Sequence, residues 1–400
     1  MNQSNILVSV SSPHLSSMHN LKQIIITKEK DFEALATAWR ALETKVNYLL
    51  PFQTYDWNCA WWKVFSGKSF FHQHELAICA VYDNDQLVAV MPLMNTHVGL
   101  HRFFLYRYVR PFGGDPNLTE LRVPLALPEY AEKVLQLWEN LTRCETFGLT
   151  EFQIIGAKAP ADHFIQNNKS LFPLTDRTIP NFVLTLGEDW DSFKSGLKRN
   201  IKESLRRCYN SPKRDGLDMN FRVLQGRTAI VQQLPMFYAL HGARASAKET
   251  IEHPDYFSHP QHKALLENLL DTPFADRMCL FCLELNGKVV AMRLAFNMGD
   301  ELYLYYSGYD LNYAQYSVMT TLVAEAIQWA IGQKIQRLNL SIGEDVSKTR
   351  WGPAVINYVE YQCVKNSAWR RFVGKQIFRL RKIRNNQRSQ LSSANDDKPG

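Results

Sequence analysis

The hydrophobic pattern opens helical and then turns to strands. Residues 31–65 read as two helices divided at Pro51, because proline disfavours a helical residue before it. Two short β runs follow, Glu75–Tyr82 and Leu87–Met94. The polar stretch Asp83-Asn84-Asp85-Gln86 between them is hairpin punctuation. A third β run, Phe103–Val109, ends in a turn over Pro111–Pro116. Glu129–Cys144 predicts a helix with Val134, Leu135, Leu137, Trp138 and Leu141 largely on one face, and Glu151–Ile155 predicts a strand.

Past the middle, Asn181–Leu186 predicts a strand and Ser192–Tyr209 a single helix. Phe193, Leu197, Ile201, Leu205 and Cys208 repeat there at helical spacing, and Asp189 or Asp191 stands where an N-cap belongs. The opposite face carries Lys194, Lys198, Arg199, Lys202, Arg206 and Arg207, and the turn Ser211–Gly216 ends the helix. A strand over Asn220–Leu224 precedes a helix carrying Val231, Leu234, Phe237, Tyr238 and His241 toward Arg244.

The last third has the clearest alternation. Met278–Leu285, Val289–Asn297 and Glu301–Gly308 predict successive strands, the first two joined by Asn286-Gly287, a strong hairpin dipeptide. The irregular stretch Tyr309–Tyr316 leads to a helix over Ser317–Gly332, with Leu322, Val323, Ala326, Ile327 and Ala330 as its apolar stripe. Gly332 suits its C-terminal stop. Strands over Ile335–Ile342 and Ala354–Val364, separated by the loop Gly343–Gly352, close the pattern.

These elements predict an α/β (α+β) protein of two lobes, each a mixed, mostly antiparallel sheet flanked by helices. An internal echo supports the division. Val81-Tyr-Asp-Asn-Asp-Gln-Leu-Val-Ala-Val-Met-Pro-Leu93 resembles Glu284-Leu-Asn-Gly-Lys-Val-Val-Ala-Met-Arg-Leu294, about 200 residues later. Length agrees, since 400 residues exceed what one core usually serves. The expected segments are a loose lead-in over 1–25, a first lobe over 26–180, a second over 181–365, and a basic amphipathic helix with a disordered tail over 366–400.

Composition narrows the class. Hydrophobic residues at 46% and charged residues at 21% describe a globular chain and exclude wholesale disorder. A net charge of +7 suits an anionic ligand and is too weak to argue for nucleic acid. Cysteines are scattered and odd in number, as in a reduced cytoplasmic protein. Cys279-Leu-Phe-Cys282 has metal or redox spacing, but it sits in an apolar run without a second pair, so no metal is expected. No secretory pattern is apparent, and no window approaches the roughly 18–20 apolar residues of a spanning helix. The aromatic clusters around Trp57, Trp61 and Trp62, and from Tyr303 to Tyr316, fit either a core or a cleft lining.

Two segments suggest binding. The loop from Gly308 to Ser317 delivers main-chain N–H groups to the start of a helix, where the first N–H groups lack partners and the macrodipole favours negative charge. Gly308, Gln315, Tyr316, Ser317, Val318 and Met319 would form such an anion site; alternatively, this is an ordinary strand-to-helix connection capped by Ser317. The stretch Trp369–Arg384 mixes apolar and cationic residues at near-helical spacing. It fits a helix packed on the domain with a solvated basic face, or one lying on an anionic membrane surface.

From about Phe182 to Val364 the chain resembles the CelD/BcsL-type acetyltransferases, a branch of the GNAT superfamily. Its whole length is similar to the double-GNAT group that includes the Fem-type peptidyltransferases. The carrying residues are Leu197-Lys-Arg-Asn-Ile-Lys-Glu-Ser-Leu-Arg-Arg207, Phe237-Tyr-Ala-Leu-His241-Gly-Ala-Arg244, Gly287-Lys-Val-Val-Ala-Met, Tyr305-Tyr-Ser-Gly-Tyr-Asp310 leading to Tyr316-Ser317, and Leu338-Asn-Leu-Ser-Ile-Gly343 with Lys348 and Trp351 beyond. Three features depart from the pattern. Val318-Met319 stand where a small residue is usual, the general pyrophosphate motif is absent, and Asn339 replaces a common Asp.

The resemblance implies two GNAT-like lobes and direct attack of an acceptor on a CoA thioester, with acetyl-CoA or another acyl-CoA as co-substrate. It makes Tyr306 and Tyr309 candidates for the acid that protonates the thiolate, His241 and Asp310 candidate bases, and Arg244 and Lys348 candidate substrate contacts. It also points to a small-molecule or saccharide acceptor in polysaccharide or cell-envelope biosynthesis, with no nucleic-acid partner. The protein would be cytoplasmic or peripheral at the inner face of the membrane. Two rival readings are a Fem-type transferase using aminoacyl-tRNA, for which no helical-hairpin insertion is apparent, and a non-catalytic scaffold on a GNAT fold.

Overall fold

The computed structural model describes residues 7–8, 21–67, 72–100, 103–114, 117–136, 138, 149–247 and 254–396. Their strands form two sheets. One has five strands in the order β1 (Leu7–Val8), β2 (Leu21–Ile26), β4 (Ile78–Asp83), β5 (Gln86–Met91), β8 (Leu125–Ala126). The other has eleven, in the order β11 (Met219–Gln225), β12 (Met278–Leu285), β13 (Lys288–Asn297), β14 (Glu301–Tyr309), β15 (Arg337–Ile342), β10 (Leu171–Thr185), β16 (Ala354–Lys365), β9 (Leu149–Ala157), β7 (Phe103–Pro111), β6 (Leu93–Leu100), β3 (His72–Leu76). The helices are α1 (Glu29–Ala34), α2 (Ala36–Glu43), α3 (Tyr55–Phe65), α4 (Ala131–Gln136), α5 (Lys158–Asn167), α6 (Trp190–Gly196), α7 (Arg199–Arg214), α8 (Arg227–Ala245), α9 (Pro260–Leu270), α10 (Val318–Gly332), α11 (Val346–Thr349) and α12 (Ala368–Asp396).

The echo in the sequence is an echo in register. β4 and β5 pair Val81 with Ala89 and slip one residue before Tyr82↔Leu87; β12 and β13 pair Leu283 with Ala291 and slip before Glu284↔Val289. Both turns hold an asparagine at positive φ, Asn84 at 53° and Asn286 at 49°. A parallel pair follows in each half, β7 with β9 and β14 with β15.

The first half bends where the second runs straight. The run expected over Glu75–Tyr82 breaks at Ala77, and that over Leu87–Met94 breaks at Pro92, which has no N–H for a ladder. The halves of the hairpin therefore enter different sheets. Two main-chain bonds hold the corner, Ala77 N–H to the Leu93 carbonyl at 3.0 Å and Phe112 N–H to the Pro92 carbonyl at 2.8 Å.

Other departures also have local causes. The strand expected from Asn181 starts at Leu171, and the 180/181 position falls inside it. Its first part holds Pro173 and Pro180 and exposes Asp176, Arg177 and Thr178, so it has no apolar run. The helix expected over Ser192–Tyr209 is two helices, because Leu197 and Lys198 take extended conformations between α6 and α7. Asp189 caps the first, accepting from Ser192 N–H at 2.8 Å, and the second continues through Pro212 to Arg214. On α8 the buried stripe is Ile230, Leu234, Phe237 and His241, and Val231 is exposed. Helices α5 and α9 add to the expected set. Of the helix expected over Glu129–Cys144, Leu137 and residues 139–148 lie outside the described residues. The lead-in over 1–25 is described only at 7–8 and from Leu21.

Strands β10 and β16 tie the halves together. β16 pairs along β10 from Lys365↔Leu171 to Ala354↔Val183, and its Tyr358–Val364 also pair with β9. The last strand of the chain thus completes the sheet of the first half. Apolar side chains cover both faces of β12–β14. Cys279 packs on the face covered by α10, whereas Cys282 packs on the other, so the CxxC pair points in opposite directions.

Candidate functional site

The site begins where two parallel strands part. β14 and β15 pair at only three positions, Glu301↔Arg337, Leu302↔Leu338 and Tyr303↔Asn339. Beyond these, β14 runs to Tyr309 and β15 to Ile342 without further pairing. On its other edge β14 carries a bulge, because Ala295 faces Leu304 but Arg293 faces Ser307. Arg293, half-buried, donates to the Tyr305 carbonyl that the bulge displaces, at 3.3 Å.

Below the bulge, β14 touches α8 backbone to backbone. A Cβ at Gly308 would collide with the main chain of Leu240 and His241, so only glycine fits. This contact sets Arg244, one turn on, against the Ser307 hydroxyl at 2.8 Å. A cavity of about 240 Å³ opens here, lined by Arg244, Tyr309, Ala314, Ser317, Val318, Met319 and Thr320. It lies at the N-terminus of α10, where main-chain N–H groups start the helix. Ser317 stands there in the left-handed conformation, φ 53°, and its side chain makes no cap. The site therefore differs from the capped connection.

The parted strands are bridged from the first half of the chain. Glu120 accepts from the Tyr303 hydroxyl of β14 at 2.5 Å and from the Ser341 hydroxyl of β15 at 2.8 Å. The same loop takes the Tyr305 hydroxyl on the Leu118 carbonyl at 2.5 Å and the Tyr306 hydroxyl on the Asn117 carbonyl at 2.9 Å. Burial pushes the Glu120 carboxyl above its ordinary pKa, opposed by the Tyr303 hydrogen bond and the positive charge of Lys348. Lys348 is pushed down by burial, as is Arg244. Half-buried Arg244, Arg293 and Lys348 with Glu120 form one cationic cluster around the divide.

The residues expected from sequence scatter around this centre. Tyr309, Ser317, Val318, Met319 and Arg244 line the cavity together. Lys348 donates to the Ile342 carbonyl at the end of β15. Tyr306 faces an aromatic cage of His241, Tyr256 and Phe257, and burial raises its pKa well above ordinary. His241 donates from Nδ1 to the Ser307 carbonyl at 3.0 Å, which fixes its tautomer, and burial lowers its pKa. Asp310 binds Lys288 Nζ at 2.8 Å and accepts from Asn312 N–H at 3.0 Å, so it forms the turn. Gly308 lies under α8. Gln315 is exposed, and Tyr316 turns its hydroxyl to Asp215 at 3.1 Å.

Residues 198–350 match the family model described as an acetyltransferase (GNAT) domain. The likeness to that family lies in the second half of the chain. Solved structures share the wider fold. FemX is 8% identical with a TM-score of 0.54, covering 82% of this chain and 95% of that one. A conserved protein of unknown function from Bacteroides thetaiotaomicron VPI-5482 is 11% identical with a TM-score of 0.50, covering 82% and 97%. At these identities the likeness concerns fold alone. A search of curated protein sequences gives no match.

Within the matched region, one departure from the family pattern has a physical reason. Asn339 is fully buried and donates to Glu301 Oε1 at 3.0 Å. An aspartate there would set two carboxylates against each other. Glu120, Arg293, Ser307 and Ser341 escaped the sequence reading. Glu120 sits in a loop without periodicity, and only pairing across the lobes reveals its role. An arginine within an apolar strand, Arg293 amid Ala291–Leu294, was the one visible signal.

Proposed function

We propose that the chain transfers an acyl group, acetyl by default, from a CoA thioester to an amine or hydroxyl acceptor. The observation that carries this reading is a cavity at the start of α10, lined by the last residue of β14, in a sheet where β14 and β15 pair at only three positions. A thioester arm lying in the divide would set the pyrophosphate of CoA near the N–H groups of α10 and Arg244. The acceptor's nitrogen or oxygen attacks the carbonyl carbon, the C–S bond breaks, and the thiolate takes a proton from Tyr309, the tyrosine that lines the cavity. The acceptor's proton passes to Glu120, whose raised pKa suits a base. His241 and Tyr306 would act as positioning residues, since the imidazole holds the Ser307 carbonyl and the phenol anchors the other lobe.

The acceptor site would lie between the lobes, and the resemblance to CelD/BcsL-type proteins favours a saccharide or an envelope precursor. A CoA thioester as donor would favour a cytoplasmic reaction. Calorimetric titration with acetyl-CoA and longer acyl-CoAs tests the reading. Binding is expected, weakened about 10- to 100-fold by Arg244→Met through loss of a charged contact. A folded protein that binds no CoA thioester would refute it in favour of a scaffold. Turnover only with charged tRNA would refute it in favour of Fem-type transfer.

A further inference from the structure

Nine Lys and Arg against two Asp follow residue 365, so this tail holds all of the chain's net +7 and residues 1–365 are neutral overall. From Ala368 to Arg388 it contains no acidic residue. This charge is carried on α12, a helix about 43 Å long at 1.5 Å per residue.

One face of α12 is tied down. Gly374 is buried against Leu174 and Val364, at 3.2 Å from where a Cβ would stand. Arg381 lies over the rings of Tyr106 and Tyr108 at 4.9 and 4.7 Å and pairs with Glu151 at 3.0 Å. The opposite face is apolar. Trp369, Phe372, Leu380 and Ile383 are 59%, 64%, 67% and 54% exposed. At 100° per residue these four fall within an arc of about 80°. Exposed Arg371, Lys375 and Arg379 run along one margin of that arc. Water gains nothing from four large apolar side chains on one stripe, and a globular partner would need acidic groups to meet the cationic margin.

We infer that α12 is a docking surface for an anionic lipid bilayer, with Trp369, Phe372, Leu380 and Ile383 entering the acyl boundary and Arg371, Lys375 and Arg379 meeting lipid phosphates. An interfacial helix needs both parts, a wet-facing apolar crest and a basic flank at headgroup height. The tied face keeps the helix pinned to the first lobe, so the whole enzyme rides on the surface. No helix among the described residues is long and apolar enough to cross a membrane, which makes the contact peripheral.

The test is cosedimentation of the full chain with vesicles of phosphatidylcholine alone or with about one third phosphatidylglycerol. The chain should pellet with the anionic vesicles and not with the neutral ones, less so as salt rises. The combined Trp369→Ser, Phe372→Ser, Leu380→Ser and Ile383→Ser variant should lose binding with an unchanged Tm, because none of the four supports the fold. The combined Arg371→Gln, Lys375→Gln and Arg379→Gln variant should bind about 100-fold more weakly, at roughly fivefold per cation. Equal pelleting of wild type and serine variant would overturn the inference. So would a dimer in sedimentation velocity that the serine variant splits, without vesicle binding, since the stripe would then join two copies.

Discussion

The two halves share a hairpin, with the same slip, the same turn asparagine and the same parallel pair after it, yet they use the end of that pattern differently. In the second half the strand after the hairpin leads through Tyr309 to the start of α10, and a cavity lies there. In the first half the matching strand leads to Phe112, whose ring is stacked on Trp61 and Trp62 at 5.5 and 5.0 Å. The gap is filled with aromatics, and the loop after it crosses to the other lobe with Glu120. One lobe thus has a pocket, and the matching loop of the other braces the parted strands through Glu120. An open divide tolerates a ligand only if something else holds the parted strands, and here the other lobe supplies it.

The largest expected effect tests the tightest point of the working lobe. Gly308→Val should destabilise by about 3 kcal/mol or more in urea denaturation, because the α8 main chain cannot retreat. Gly113→Val should cost less despite its φ of 77°, since the nearest atoms it meets are of the Thr119 side chain rather than main chain. An equal loss at both would remove the asymmetry. Next, Glu120→Ala should cost about 2–3 kcal/mol by stranding two buried hydroxyls, while Glu120→Gln should recover most of that stability yet leave acyl transfer about 100-fold down. Full activity in the glutamine variant would reduce Glu120 to a strut.

The first lobe should show its structural character through pH. Burial pushes the Glu43 carboxyl up to about 7 from 4.5. A carboxyl that holds its proton more tightly when folded adds stability below the unfolded pKa, and that stability fades as pH rises through the folded one. Unfolding free energy should therefore fall by about 2 kcal/mol between pH 4.5 and 7, and Glu43→Gln should flatten the slope. The smallest effect concerns the turns. Gly287→Ala should cost about 1 kcal/mol, because φ there is 74°, whereas Asp85→Ala, at a position without positive φ, should be near neutral in thermal denaturation.

Alternation, Asn-Gly and the glycine that closes α10 made β12–β14 and α10 legible to within about a residue. Those are local signals, repeated every two or four residues. The cavity lining was legible for the same reason, as the place where one period ends and another begins. The first part of β10 was not, because a strand rich in proline and charge is held by its neighbours rather than by its own pattern. Nor was the corner at Ala77 and Pro92, since a bend between sheets keeps the alternation on both sides. Glu120 was the least readable, because its partners Tyr303 and Ser341 lie far along the chain and nothing near it is periodic.

The exchange of β16 into the first half has a consequence for synthesis. Translation delivers the N-terminal half long before residue 358 leaves the ribosome. Until then β9 and β10 lack the strand that belongs between them, and both present open edges of the kind that recruit other chains. The nascent protein therefore cannot mature half by half, and final closure waits until β16 has emerged.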